Sequence, residues 1–114
     1  MIGASYIQST TSSIGGGDYT AVIVPPSITT QTTNGSYTTP LLTVGVYNGI
    51  GPYEYEWIDA DMFGIFSDDY GRQTTFSVSG YNENKTVVLN CRVTDTGNSN
   101  EVTFATTYLD VTYS

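Results

Sequence analysis

From Thr20 onward, apolar and polar residues alternate with period two in short runs separated by turn clusters, the pattern of half-buried strands. Leu42, Val44 and Val46 alternate with Thr43, Gly45 and Tyr47. Tyr53, Tyr55 and Trp57 alternate with Glu54, Glu56 and Ile58. Thr74, Phe76 and Val78 alternate with Thr75, Ser77 and Ser79, and Val87, Leu89, Cys91 and Val93 with Val88, Asn90, Arg92 and Thr94. Residues 62–66 predict a further short strand. Residues 20–24 and 27–31 flank Pro25-Pro26. Proline cannot donate to a sheet ladder, so these two runs read as one edge strand broken at the prolines. Residues 102–113 predict a long final strand. Its apolar parity switches between Val102/Phe104 and Leu109/Val111, which predicts a bulge near residues 105–107.

Turn chemistry punctuates these runs. Asn34-Gly35, the run from Asn48 to Pro52, Asp68-Asp69-Tyr70-Gly71, residues 80–85 and residues 95–100 all read as turns or loops. Seven or eight short strands at a spacing of roughly 8–12 residues, with no helical periodicity, predict an all-β, antiparallel two-sheet sandwich over residues 20–114. The expected core holds Val44, Trp57, Phe76, Leu89, Cys91 and Val93. Residues 1–19 read differently. They contain three consecutive glycines and few apolar groups, Ile2, Tyr6, Ile7 and Ile14. This composition predicts an extended N-terminal arm, flexible or partner-ordered, with those four residues as its binding groups where it orders on a partner.

Composition sharpens the picture. The 114 residues include 19 Thr, 11 Ser, 10 Tyr and 12 Gly, while charged residues make up only 12%. The solvent faces are therefore hydroxylated rather than charged. Three Lys and Arg against 11 Asp and Glu give a formal net charge of −8. Such a chain lacks the electrostatic footprint of a nucleic-acid binder. No apolar run approaches the ~20 residues of a membrane-spanning helix, so neither nucleic acid nor membrane is an expected partner. Histidine is absent and a single Cys is present. Histidine-based triads, Cys-cluster zinc sites and an internal disulfide are thereby removed. Taken as a true start, residues 1–10 have neither the basic region nor the apolar stretch of a secretion signal. The expectation is synthesis in a host cytoplasm, where an unpaired thiol is at home.

Two stretches carry a resemblance. Gly51-Pro-Tyr-Glu-Tyr-Glu-Trp57 resembles the entry to the third strand of immunoglobulin-like and PKD-like repeats. Cys91-Arg-Val-Thr-Asp95 resembles their sixth strand, and Thr75-Phe-Ser-Val-Ser-Gly80 their fifth. The resemblance spans residues 21–113. The first disulfide cysteine of antibody-type domains falls near Val44 here, so the resemblance places an apolar contact among Val44, Trp57 and Cys91 where that bridge would be. Disulfide-free, signal-less sandwiches of this sort resemble the Ig-like domains of tailed-phage head-decoration and tail proteins. The resemblance implies a non-catalytic structural protein of a virus particle, located in the virion. It would be present in many copies or as a homo-oligomer and bound to capsid or tail proteins. The alternative it leaves open is an adhesion module for cell-surface carbohydrate or protein, such as a host-surface glycan.

Candidate chemistry is sparse. Glu54 and Glu56 share one strand face about 7 Å apart, within the carboxylate separation of inverting glycosidases. Their parity turns both away from Trp57 towards solvent, and no catalysis is expected of them. Asp59, Asp61, Asp68 and Asp69 form the best local cluster of hard oxygen ligands for Ca²⁺. The loop lacks the terminal Glu of an EF-hand, Tyr70 standing at that position, and the expectation is no metal and no cofactor. Of the tyrosines, Tyr53 and Tyr55 are expected to point inward. Tyr47, Tyr70, Tyr81 and Tyr108 are placed at strand ends or turns, where exposed rings suit protein interfaces and sugar stacking alike.

Overall fold

A computed structural model describes residues 19–33, 35–79 and 83–113. Ten strands and no helix occur among the described residues. In chain order they are β1 (Thr20–Val24), β2 (Ser27–Thr32), β3 (Tyr37–Thr38), β4 (Leu42–Tyr47), β5 (Tyr53–Ile58), β6 (Gly64–Phe66), β7 (Gln73–Thr74), β8 (Phe76–Val78), β9 (Lys85–Asp95) and β10 (Glu101–Tyr113).

They form an all-β sandwich of two layers. One layer is the four-stranded sheet β2-β10-β9-β5. The other joins two short sheets, β1-β4-β7 and β3-β8-β6. Pro40 interrupts the run that holds β3 and β4, and the side chain of Thr39 repairs the gap. Phe76 N donates to Thr39 Oγ1 at 3.0 Å, and Thr39 N donates to Phe76 O at 2.9 Å. A hydroxyl thus takes the place of a missing ladder partner, and Thr39 is buried without an orphaned polar group.

The two prolines do more than break a strand. β1 pairs antiparallel with β4, whereas β2, just beyond Pro25-Pro26, pairs parallel with β10 in the opposite layer. The first run therefore forms an edge of both layers, where a missing N–H costs nothing. Among the described residues this is the one parallel pairing, and it joins β2, near the start of the sandwich, to β10 at its end, as parallel neighbours require a long connection. Thr107, fully buried in β10, donates to Pro25 O at 2.7 Å and fastens the switch.

The bulge expected near residues 105–107 is absent. β10 pairs with β9 without interruption from Glu101↔Asp95 to Val111↔Lys85. Ala105, Thr107, Leu109 and Val111 all face the core, while Val102 and Phe104 stand on the outer face. The parity switch came from apolar residues exposed on the wet side, not from a change of register.

Between the layers lies one core of Ile23, Leu42, Val44, Trp57, Phe76, Val78, Val87, Leu89, Cys91, Val93, Leu109 and Val111 among others. Phe66 links its aromatic members, 5.7 Å from Trp57 and 4.8 Å from Phe76 between ring centroids, both tilted. Trp57 Nε1 donates to Gly71 O at 2.7 Å, so the one polar atom of the ring is satisfied. Tyr19 belongs with the sandwich rather than with the arm. Its hydroxyl donates to Val93 O at 3.2 Å and its ring stacks on Tyr53. The arm residues Ile2, Tyr6, Ile7 and Ile14 lie outside the described residues.

Candidate functional site

The outer face of β9 and β10 is where apolar side chains meet solvent. Alternation along β10 brings Val102, Phe104, Thr106 and Tyr108 to this face in one row. The antiparallel register sets Thr94, Arg92, Asn90 and Val88 of β9 directly beside them. Phe104 is 57% exposed, Tyr108 48%, Val102 46% and Val88 39%. At the middle of the row Thr106 Oγ1 donates to Asn90 Oδ1 at 2.7 Å. Two charged groups border the row, Arg92 directly opposite Phe104 and Asp110 beyond Tyr108. On one side Arg92 pairs with Glu56 of β5 at 2.8 Å. On the other Thr86 donates to Asp110 at 2.6 Å. A partly apolar window, whose neighbouring Arg92 is paired with Glu56, thus opens on a strongly acidic chain. Tyr108 sits in mid-strand here, not at the strand end the sequence suggested.

Beside this window, along the edge strand β5, lies an open depression of about 490 Å³ lined by Tyr53, Glu54, Tyr55, Glu56, Tyr70, Arg92 and Thr94. Its polar residues come from the outer faces of β5 and β9, Glu54 standing opposite Thr94 and Glu56 opposite Arg92. Tyr70, 71% exposed, comes from the loop between β6 and β7. That loop is pinned to the body by Trp57 N donating to Asp69 O at 2.8 Å and Arg72 Nε donating to Val44 O at 3.1 Å. Tyr70 N donates to Asp68 Oδ1 at 3.0 Å within it.

The four aspartates singled out from the sequence are not brought together. Asp59 Oδ2 accepts from Phe63 N at 2.6 Å and Gly64 N at 3.1 Å, holding the turn into β6. Asp68 holds the Tyr70 turn. Asp61 and Asp69 are exposed. Among the described residues no three His, Cys, Asp or Glu side chains gather as a metal site. Glu54 and Glu56 share the outer face as their parity predicts.

The aspartate that matters structurally is Asp95, fully buried at the end of β9. Its Oδ2 accepts from Ile50 N at 2.7 Å, and its Oδ1 from Gly51 N at 2.9 Å and Gly97 N at 3.2 Å. It clasps the loop between β4 and β5 to the turn between β9 and β10. Thr96 adds two bonds to Pro52 O, from N at 3.0 Å and from Oγ1 at 2.8 Å. The loops touch so closely that a Cβ on Gly97 would lie 2.0 Å from Gly51 O. Gly51 has a φ of 81°, a left-handed conformation glycine adopts without strain.

Burial sets the titration of the neighbouring groups. It pushes the Tyr19 hydroxyl up to about 12, with nearby Asp95 adding a smaller repulsion. Burial raises Tyr55 as well, Arg72 partly opposing it. It pushes the Cys91 thiol up to about 11. The exposed tyrosines do not form one platform: Tyr47 ends β4 in one layer, Tyr108 lies on β10 in the other and Tyr70 sits in a loop.

The fold and this surface define an all-β sandwich with one open, partly apolar sheet face. No family model and no curated protein matches the chain. Among solved structures, the chain is similar over 84% of its length to a nucleoside hydrolase-related hypothetical protein from Saccharophagus degradans, described as associated with carbohydrate metabolism. The identity is 11% and the TM-score 0.57. The chain spans only 25% of that protein's length. CopC from Methylosinus trichosporium OB3b aligns over 82% of this chain and 94% of its own, at 14% identity and a TM-score of 0.37. The first shares a sandwich fold with this chain, and a shared fold does not carry function with it.

Proposed function

We propose that the chain is a non-catalytic accessory domain of a virus particle, docking in many copies on capsid or tail proteins through the outer face of β9 and β10. The observation that carries this reading is the partly apolar window of Val88, Val102, Phe104 and Tyr108 on a chain of net charge −8. Interface centres are depleted of charge and rich in aromatics, and the one charged side chain directly opposite a member of this window, Arg92 beside Phe104, is already paired with Glu56. The four residues expose roughly 300–400 Å², the size of a functional patch on a monomer. That is about half of the ~800 Å² per partner of a stable interface. A single copy therefore binds weakly, and repeated copies on a symmetric particle gain by avidity.

Strand order supports the immunoglobulin-like resemblance on which the virion reading rests. Taking β1, β3–β4, β7–β8 and β6 as A, B, E and D, and β5, β9 and β10 as C, F and G, the layers follow the A-B-E-D over C-F-G arrangement. The test is quantitation of the chain in particles purified from the genome that encodes it. Wild-type protein is expected in many copies per particle, and a folded Phe104→Ser/Tyr108→Ser variant at sharply reduced occupancy. Particles free of the wild-type chain, or a variant incorporated at wild-type occupancy, would overturn the reading.

A further inference from the structure

The depression beside β5 borders the docking face at Arg92 and Thr94 and adds Glu54, Glu56 and Tyr70, which the particle-docking reading does not use. Its polar wall is an ordered array. Glu54 and Glu56 lie two residues apart on one strand, about 7 Å by strand rise, with Thr94 and Arg92 as their direct cross-strand neighbours. The Glu56–Arg92 pair is 2.8 Å across, yet the two side chains remain 40% and 49% exposed, so the pair is open to further hydrogen bonds. A carboxylate accepts through two oxygens, and a guanidinium presents five N–H donors in a planar fork. Side by side, they offer acceptors and donors in one patch.

The other wall is aromatic. Tyr70 is among the most exposed large side chains described, although the backbone around it is held from three sides. Trp57 N donates to Asp69 O, Trp57 Nε1 to Gly71 O and Val44 N to Arg72 O. The Asp68 carboxylate packs directly against Gly71, where a Cβ would lie 2.4 Å from Asp68 Oδ2. The ring is thus presented by a fixed loop, and little backbone ordering remains to oppose a ligand that stacks on it.

We propose that this depression is a saccharide-binding subsite for a pyranose without acidic groups. A pyranose has an apolar C–H face and a rim of hydroxyls. It therefore matches one exposed aromatic ring standing beside a carboxylate–guanidinium patch. The volume of about 490 Å³ suits a ligand of one or two sugar units. Two carboxylates against one guanidinium leave the site with an excess negative charge, which repels uronic and sialic acids and phosphorylated ligands. The site is open and solvated, so each contact is weak. Useful retention on a glycan-covered surface then depends on several copies acting together.

The test is an amide-resolved NMR titration of the full chain with lactose and N,N′-diacetylchitobiose, and with sialyllactose as the acidic counterpart. At least one neutral sugar is expected to shift amides of residues 53–56, 70–72 and 92–94, saturating in the millimolar range or above. Sialyllactose is expected to bind more weakly than lactose. Tyr70→Ala should weaken the neutral-sugar affinity by about tenfold or more with an unchanged melting curve, and Tyr70→Phe should retain binding. No shift with either neutral sugar at about 50 mM, well above a millimolar dissociation constant, overturns the proposal. So does a response elsewhere on the surface, or a folded Tyr70→Ala protein that binds like wild type. Incorporation of Tyr70→Ala into particles at wild-type occupancy is expected, because Tyr70 lies outside the apolar window. This keeps the fate of the sugar site separate from that of the docking face.

Discussion

Replacing Asp95 by Asn tests whether a single buried carboxylate holds one end of the sandwich together. The side chain has no solvent exposure and accepts three backbone N–H bonds, from Ile50, Gly51 and Gly97. Asn has almost the same shape but only one acceptor oxygen. If that oxygen keeps the Gly51 and Gly97 bonds, the amide NH₂ faces Ile50 N, donor against donor, where the shortest bond of 2.7 Å now lies. Losing a hydrogen bond to a charged group costs about 1.5–3 kcal/mol, and the two retained bonds fall to neutral strength. The sum is about 3–4 kcal/mol, a large share of the 5–15 kcal/mol that holds a domain of this size. At roughly 4 °C per kcal/mol, the melting temperature should fall by about 12–16 °C. The assay is thermal unfolding followed by circular dichroism, alongside hydrogen exchange at the amides of Ile50, Gly51 and Gly97. A drop under about 3 °C with faster exchange confined to those three amides would refute the reasoning. The clasp would then order the loops without supporting the fold.

Three further outcomes follow from packing. Trp57→Ala removes the centre of the aromatic chain to Phe66 and Phe76 and is expected to cost about 3–5 kcal/mol, read as a largely unfolded population in a urea titration. Cys91 is fully buried, and burial holds its thiol at about 11. At pH 8 the native protein should resist a thiol reagent that labels it at once in denaturant. A chain beginning at Tyr19 should melt within about 2 °C of the full-length protein, whereas one beginning at Thr20 loses the Tyr53 stack and the bond to Val93 O. The second truncation should cost about 1–2 kcal/mol, resolved by comparing the two melting curves.

The core was legible because most inner strands have one dry and one wet face. In β4, β5, β8 and β9 the period-two pattern assigns Val44, Trp57, Phe76, Leu89, Cys91 and Val93 inward, and all six are buried. The same rule misled in β10, whose wet face carries Val102 and Phe104. Hydrophobicity alone cannot tell an exposed apolar residue from a shifted register. The feature misread as a bulge is the one that marks the candidate docking face. The layer switch at Pro25-Pro26 was half legible. Proline chemistry marks the break, but nothing local says that β2 crosses to the parallel neighbour β10, some 80 residues away.

The clasp at Asp95 marks a different boundary of what a sequence discloses. Its position at the head of a Gly- and Asn-rich turn reads as an exposed carboxylate, since turns collect such residues for their own local hydrogen bonds. Yet the inward parity of β9 runs Val87, Leu89, Cys91, Val93 and then, without a break, Asp95. A charge at an inward position is affordable only when donors surround it. The parity therefore required a set of N–H groups at that end of the sandwich. The run from Asn48 to Pro52, rich in glycine and pressed against the same end by the β5–β9 register, was the segment able to supply them. What stayed hidden is the depression beside β5. Tyr70 is 13 residues along the chain from Trp57 and more than 20 from Arg92, and no periodicity links a loop residue to two strands. The contact exists because Trp57, placed inward by its own alternation, binds the carbonyls of Asp69 and Gly71 and draws that loop over the edge of β5. A core residue thereby positions the exposed ring that borders the depression.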